Sequence, residues 1–241
     1  MIKSLLIIAW IILDTLVMCI CAIFTSLFSR TGNAPHIIGR FWGKSILWAS
    51  GIKVNVKGLS NLDFSGPCVF MCNHQSNFDI LVLFAELPAQ FRWIAKAELF
   101  KIPLFARAMR GAGYVSIDRH NRTSAIKSIG VAAEKIRNGV CVMIFPEGTR
   151  SPDGKIGKFK KGGFYLALDA GVPIVPLVIN GTWSIMQKDS LKITPGNVQL
   201  SILPPIDTSV YSEDNRDELI KKLNDEICSE FESNKLRSEG E

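Results

Sequence analysis

Residues 67 to 85 read PCVFMCNHQSNFDILVLFA. The apolar run at residues 67–72 predicts a buried strand, and the apolar run at residues 80–85 predicts a helix. The polar turn between them carries one imidazole, His74, and a carboxylate follows five positions later, at Asp79. An open α/β sheet presents functional side chains in such turns, at the carboxyl ends of its strands.

The pair formed by His74 and Asp79 has two interpretations. An ionised Asp79 can accept the proton on one imidazole nitrogen, which fixes the tautomer and leaves the other nitrogen of His74 as a base. Ser76-x-x-Asp79 is also typical of a helix N-terminus, where the carboxylate would serve only the first turn. This stretch alone leaves both interpretations open.

Strands and helices alternate through the rest of the chain. Strands are predicted at 52–57, 67–72, 91–95, 114–117, 140–145, 173–179 and 198–203, and helices at 80–85, 103–109, 123–138 and 162–170, with a C-terminal helix from Ser212. Proline at the start and in the middle of strand 173–179 predicts that it is bulged or lies at a sheet edge. The alternation predicts an α/β fold with a mainly parallel central sheet flanked by helices.

An apolar segment precedes this domain. Leu5 to Phe28 is long enough to cross a bilayer core of about 30 Å. Asp14 is costly at mid-membrane, so a full span and a shallow or in-plane insertion both stay open. A second segment, with apolar residues from Ile37 to Trp48 near helical spacing, combines basic residues with tryptophans. This basic helix suits a membrane interface, although an ordinary core helix is the alternative. We expect membrane-associating helices over 1–50, an α/β domain over 51–235 and a polar tail over 236–241.

The charge is unevenly placed along the 241 residues. Residues 207–241 hold 11 of the 22 acidic residues against five basic ones, so they carry −6 and the remainder carries +12. A basic body favours an anionic partner: a phosphate ester, a lipid headgroup or nucleic acid. Nucleic acid is disfavoured because stacking aromatics do not alternate with the basic residues. The positive excess after the first helix predicts the cytoplasmic face of a membrane, the inner membrane if the source is bacterial.

Cysteine and histidine usage argues against a metal site. The six cysteines lie in apolar runs or on a helix face, which is typical of buried reduced thiols. The three histidines are far apart in sequence, so we expect no metal ligand set. No Gly-x-Ser-x-Gly motif is present, which argues against a serine hydrolase.

Polar residues follow several predicted strands, where parallel strands bring their carboxyl ends to one edge. These residues are His74 with Asp79, Lys96, Asp118 with Arg119, and the run from Glu147 to Arg150. The last run suits a phosphate monoester, because Arg150 offers a planar fork of donors and Gly148 lets a backbone N–H approach an oxygen closely. Glu147 has the chemistry to hold a glycerol hydroxyl. A plain surface turn is the alternative.

Five blocks of sequence together resemble a known family, the 1-acyl-sn-glycerol-3-phosphate acyltransferases. The resemblance covers about residues 50 to 185 and the apolar N-terminal region. The blocks, in the order of the family, are Asn73-His74-x4-Asp79, Lys96-Ala97-Glu98-Leu99-Phe100, Gly113 through Asp118-Arg119, Phe145-Pro146-Glu147-Gly148-Thr149-Arg150-Ser151, and Val172-Pro173-Ile174-Val175-Pro176-Leu177.

The resemblance implies an O-acyltransferase of phospholipid biosynthesis. The donor would be acyl-CoA or acyl-carrier protein as co-substrate, with no further cofactor and no metal, and the acceptor would be lysophosphatidic acid in a membrane. By position, His74 is the implied general base and Asp79 its orienting partner. The residues implied for acceptor binding are Lys96, Arg119, Glu147, Gly148, Thr149 and Arg150, and those implied for acyl placement are Pro173 and Pro176. The two N-terminal helices match a membrane-docking element.

Two other functions stay open at this point. An acyltransferase of the same architecture can act on glycerol 3-phosphate or on another lysophospholipid. A non-catalytic binder of anionic lipids would use the basic helix and the lysines between Lys155 and Lys161, and would not need His74.

Overall fold

The computed structural model describes residues 2–62, 65–118 and 121–239. Its α-helices are α1 Ile2–Ser26, α2 Asn33–Ser50, α3 Phe78–Glu86, α4 Pro103–Gly111, α5 Arg122–Arg137, α6 Gly162–Ala170, α7 Thr182–Ile185 and α8 Arg216–Glu239. Its strands are β1 Ile52–Lys57, β2 Val69–Cys72, β3 Phe91–Lys96, β4 Val115–Ile117, β5 Cys141–Ile144, β6 Ile174–Asn180 and β7 Gly196–Ile202.

These strands form one seven-stranded sheet in the order β1-β7-β6-β2-β5-β3-β4. Every neighbouring pair is parallel except β6 with β7, which confirms the predicted α/β fold with a mainly parallel sheet. One apolar layer packs α1, α2 and α3 on one face, and a second packs α5, α6 and α8 on the other. Strand β2 lies at the centre with all four residues buried, so the turn after it opens at the middle of the carboxyl edge.

Strand β6 lies inside the sheet, between β2 and β7, so of the two predicted alternatives the edge position is wrong and the bulge is confirmed. Its ladder with β7 begins at the pair Leu177–Ile202, and the next bridge toward the start of β6 joins Ile174 to Ile206. Two residues of β6 therefore face three of the partner segment, which is a bulge. Pro176 lies in this bulge and accepts through its carbonyl from the N–H of Leu203 at 3.0 Å. The backbone nitrogen of Pro176, which has no hydrogen to donate, lies where the ladder is interrupted, so the sheet tolerates a proline at this position.

Helix α1 packs along the body of the protein. Near its start, the Ser4 hydroxyl donates to the carbonyl of Ile193 at 3.3 Å and accepts from the Ile193 N–H at 3.2 Å. At its end, Ser26 lies against Gly111 of α4. Asp14, the residue that argued against a span, is buried in the structure, and its neighbour Thr15 accepts from a tryptophan of α2.

The other side of α1 is apolar and exposed. Among the described residues, α1 is the one helix that is long and apolar enough to cross a membrane by length and composition. The large apolar side chains exposed on α1 are Ile2, Leu5, Leu6, Trp10, Ile12, Leu13, Leu16, Val17, Ile20 and Phe24, and α2 adds Ile37, Phe41 and Trp48. This surface is called the apolar N-terminal face below.

The C-terminal helix differs from its prediction at both ends. Helix α8 begins at Arg216 rather than at Ser212, whose backbone N–H donates to the side chain of Asn215 at 2.6 Å. It continues to Glu239, so residues 236–239 of the predicted tail are helical.

Candidate active site

The turn after β2 brings His74 and Asp79 into direct contact. The Nδ1 atom of His74 lies 2.8 Å from Oδ2 of Asp79, which sits in the first turn of α3 and is fully buried. The same oxygen accepts from the backbone N–H groups of Gln75 at 2.6 Å and Ser76 at 2.9 Å, and Thr182 donates to Oδ1 at 2.5 Å. A carboxylate that accepts from all these donors makes Nδ1 of His74 a donor, so Nε2 keeps its lone pair. Asp79 therefore serves the helix start and the imidazole together.

The ring of His74 is also held from one face. It stacks on Phe145 with the ring centroids 3.8 Å apart and the planes 7° from parallel. Phe145 follows β5, which pairs with β2 through Met71 and Ile144, so the stack follows from the strand register. The side chain of His74 is 12 % exposed. Stack and hydrogen bond together fix the plane of the ring and the direction of Nε2.

Glu147 is placed differently from the expected glycerol-hydroxyl contact. Its Oε1 accepts from the backbone N–H of His74 at 2.7 Å, and its Oε2 accepts from the N–H of Gly157 at 2.8 Å. The residue is buried, which raises the pKa of its carboxyl group, while the two N–H donors act in the opposite direction. Both oxygens are thus occupied by backbone, and Glu147 joins the histidine turn to the loop after β5. Ser151 adds a second link, since its N–H donates to the carbonyl of His74 at 2.8 Å.

The rest of the Glu-Gly-Thr-Arg block divides between turn geometry and surface. Gly148 has φ +72°, and its N–H donates to the carbonyl of Phe145 at 3.0 Å. That N–H closes the turn and therefore does not point to a ligand oxygen, contrary to the expectation from the sequence. Thr149 is exposed. The side chain of Arg150 is 22 % exposed, and one of its guanidinium nitrogens forms an ion pair with a carboxylate oxygen of Asp189 at 3.3 Å. The other N–H groups of the guanidinium can still donate to a ligand.

Lys96 lies where the sequence predicts it, at the carboxyl end of β3 on the same edge of the sheet as His74. Its side chain is half exposed and lies 3.4 Å from a carboxylate oxygen of Glu98. Arg119 lies outside the described residues. Asp118, which precedes it, is partly buried.

The two prolines expected to place the acyl chain are not at this edge. Pro173 precedes Ile174, which pairs with Val69, five residues before His74. Pro173 is one residue further from His74, so at about 3.3 Å per residue it lies roughly 20 Å from His74 along the strand direction. Pro176 is buried within the sheet. A direct contact of either proline with the reacting groups therefore does not fit the structure.

Two residues to which the sequence assigned no role also hold the site, and one of them, Asn73, was named only as part of the first block. Thr182, which holds Asp79, begins α7 two residues after β6, and it is fully buried. Asn73 is also fully buried, and its side-chain amide pairs with both backbone groups of Ile179, at 2.8 and 2.9 Å. Asn180-Gly181-Thr182 is a further polar strand end, and that signal was available in the sequence. In the described ranges, no group of three or more His, Cys, Asp or Glu side chains has the arrangement to hold a metal ion.

Comparisons with known proteins identify the proteins that this chain is similar to. A family model described as "Acyltransferase" matches residues 53–180. A chloroplastic 1-acyl-sn-glycerol-3-phosphate acyltransferase of Brassica napus is 38% identical over 186 residues, which are 76% of this chain and 54% of the relative. The human 1-acyl-sn-glycerol-3-phosphate acyltransferase alpha is 35% identical over 187 residues, covering 77% of this chain and 66% of the relative. The chain thus spans between half and two thirds of the length of such curated relatives.

A solved structure matches over nearly the whole chain. The crystal structure of the 1-acyl-sn-glycerophosphate (LPA) acyltransferase PlsC from Thermotoga maritima superposes with a TM-score of 0.83 at 31% identity. The match covers 97% of each chain, so it includes the N-terminal helices as well as the sheet.

Proposed function

The chain belongs to the 1-acyl-sn-glycerol-3-phosphate acyltransferase family, and from that premise we propose that it makes phosphatidic acid. In the proposed reaction, an acyl group passes from a thioester to the 2-hydroxyl of a 1-acyl-glycerol 3-phosphate. The observation that carries this proposal is the 2.8 Å contact between His74 and a fully buried Asp79. This contact supports the assignment of His74 as an oriented base, because it lies at the centre of the sheet edge where α/β proteins bind their ligands.

In the proposed mechanism, Nε2 of His74 accepts the proton of the acceptor hydroxyl as its oxygen attacks the thioester carbonyl. The tetrahedral intermediate collapses, the carbon–sulfur bond breaks, and the proton on the imidazolium passes to the departing thiolate. Asp79 holds the ring and stabilises its protonated form. Positioned proton transfer of this kind contributes about 10²- to 10⁴-fold to a rate. A thioester is already activated, so the reaction needs no acyl-enzyme.

The acceptor phosphate is proposed to bind at Arg150, with Lys96 on the same edge. A guanidinium fork matches two oxygens of a phosphate, and holding the phosphate brings the 2-hydroxyl to the base. The proposed donor is acyl-CoA or acyl-carrier protein. Nothing in the proposed chemistry requires a metal or another cofactor.

The acceptor is a membrane lipid, so the site has to meet a membrane. We propose that the apolar N-terminal face docks the protein on the cytoplasmic side of a membrane. A surface of many apolar side chains that includes tryptophans suits insertion into a membrane interface. Such docking would let the acceptor reach His74 without crossing water.

One experiment tests this function directly. Purified protein is incubated with lysophosphatidic acid, with acyl-CoA and acyl-carrier-protein donors of the same chain in parallel, and the lipid product is weighed by mass spectrometry. We expect the mass of phosphatidic acid. Glycerol 3-phosphate in place of the lipid acceptor serves as the competing substrate. A product formed only from glycerol 3-phosphate would contradict the acceptor, and no acylated product with any donor would contradict the enzyme class.

A further inference from the structure

The basic loop between β5 and α6 carries four lysines: Lys155, Lys158, Lys160 and Lys161. Lys161 is accounted for, because its amine lies 2.8 Å from a carboxylate oxygen of Asp217. Lys160, its neighbour, has no carboxylate within ion-pair distance among residues 2–62, 65–118 and 121–239. The two adjacent cations thus face different surroundings.

Lys160 lies across the Glu-Gly-Thr-Arg turn with both its backbone and its side chain. Its backbone N–H donates to the carbonyl of Pro146 at 2.8 Å. A Cβ atom built on Gly148 would lie 2.9 Å from Nζ of Lys160 and 3.0 Å from Cδ and Cε. Any side chain at position 148 would therefore displace the end of Lys160. The absence of a side chain there leaves room for the lysine, in addition to permitting φ +72°.

The same turn is fixed to the catalytic histidine. Glu147, next to Gly148, accepts from the backbone N–H of His74, and Ser151 donates to the His74 carbonyl. Arg150 lies between these two links. Arg150 is thus part of the turn that is hydrogen-bonded to His74, and the side chain of Lys160 lies against Gly148 of the same turn.

A phosphate monoester carries nearly two negative charges at neutral pH. Arg150 alone does not balance it, because Asp189 already lies 3.3 Å from one of its nitrogens. A second cation packed against the same turn, without a carboxylate partner among the described residues, would supply the missing charge. We propose that Lys160 is the second cation that binds the phosphate of the acceptor, opposite Arg150. This inference rests on the proposed function, and it makes Lys160 a residue that selects phosphorylated acceptors.

The test compares two acceptors that differ only in the phosphate: lysophosphatidic acid and the monoacylglycerol of the same chain. Lys160→Met keeps the aliphatic stem against Gly148 and removes the charge. Hydrogen bonds to charged groups are worth enough that we expect kcat/KM for lysophosphatidic acid to fall by about tenfold or more. Turnover of monoacylglycerol should stay unchanged. Lys160→Arg should restore most of the loss, and Lys158→Met, on the same loop, should behave as the parent protein.

A second measurement is needed if the protein turns over monoacylglycerol too slowly for its rate to be followed. Inhibition by glycerol 3-phosphate, which carries the phosphate without the chain, should weaken in Lys160→Met by a similar factor. Equal losses on both acceptors would assign Lys160 a structural role and overturn the proposal, as would unchanged kinetics and inhibition. Failure of the proposed function is a separate result, since the parent protein would then not acylate lysophosphatidic acid at all.

Discussion

Asp79 accepts hydrogen bonds from the backbone of its own turn, from the imidazole of His74 and from Thr182. An asparagine at this position can accept at one atom only, and its amide nitrogen would face donors. We therefore expect Asp79→Asn to lower kcat by about 10²- to 10⁴-fold, because the ring loses its tautomer and orientation. Stability should fall by about 1–3 kcal/mol, since a buried donor is left unpaired. Steady-state kinetics and denaturant unfolding measure the two effects.

Thr182→Val is the matched control for that variant, because it removes only the donor to Oδ1. We expect a smaller loss of kcat than in Asp79→Asn. Equal kcat in Asp79→Asn and the parent protein would remove Asp79 from the mechanism.

Arg150 gives a second prediction at this scale. Arg150→Ala should raise KM for lysophosphatidic acid by about tenfold, since charge-assisted hydrogen bonds to the phosphate are lost. Asp189→Asn releases Arg150 from its carboxylate and should leave that KM equal or lower. Acceptor titrations at saturating donor measure both. An unchanged KM in Arg150→Ala would contradict the phosphate role.

The sequence predicts the histidine and aspartate pair because five positions across a turn keep them close. It does not predict what Glu147 binds, because its partner His74 lies 73 residues away and becomes a neighbour only through the pairing of β2 with β5. The link from Thr182 to Asp79 spans 103 residues and depends on the order of the strands in the same way.

Elements show the same division between local and long-range information. Apolar runs and turn residues locate the strands and helices within a few residues, except for the short helix α7, which was not predicted. The position of β6 in the sheet could not be located in this way. A proline lacks an N–H and so requires an interruption of the hydrogen-bond ladder, but it does not indicate on which neighbouring strand that interruption lies. The bulge opposite Pro176 is set by the segment after β7, which no local rule at residues 173–179 can describe.

Helix α2 is fixed to the sheet through His36, and this contact predicts a pH effect on stability. His36 is fully buried, and its Nδ1 lies 3.2 Å from the hydroxyl of Tyr114. Burial, with the charge of Arg92, lowers the pKa of His36 to about 3 from its ordinary value of 6.5. Below pH 6.5, His36 therefore binds a proton in the unfolded chain, whereas in the folded protein it binds one only when the pH falls to about 3. Folding stability should fall as the pH drops through that window.

At pH 5 the expected loss from His36 is about 2 kcal/mol, at 1.36 kcal/mol for each pH unit below 6.5. Urea unfolding at pH 7 and pH 5 measures it. His36→Gln should show a correspondingly smaller difference between the two pH values, whatever its absolute stability. The same pH dependence in both proteins would contradict this reading of His36.

At the scale of the whole molecule, the apolar N-terminal face and the packing of α1 bear on how the protein meets a membrane. Length and composition permit a span. The contacts of Ser4 with Ile193 and of Ser26 with Gly111 hold both ends of α1 against the body. We therefore expect α1 to lie in the plane of the interface.

Thiol labelling distinguishes the two arrangements. Ile2 and Leu27, near the two ends of α1, are both largely exposed. With Ile2→Cys and Leu27→Cys proteins added to preformed vesicles, a membrane-impermeant maleimide should label the two positions to a similar extent without detergent, after subtraction of the parent background, because both ends of an in-plane helix lie on the same side. Labelling of one end only, with the other released by detergent, would show a span.

We propose that Nε2 of His74 removes the proton of an acceptor hydroxyl. The most direct test of this proposal is the rate of phosphatidic acid formation by His74→Ala, measured by mass spectrometry at saturating lysophosphatidic acid and acyl donor. Loss of the base predicts a rate at least about 10²-fold below that of the parent protein, with a cooperative unfolding transition retained and vesicle binding unchanged. A rate within a few-fold of the parent would contradict the claim.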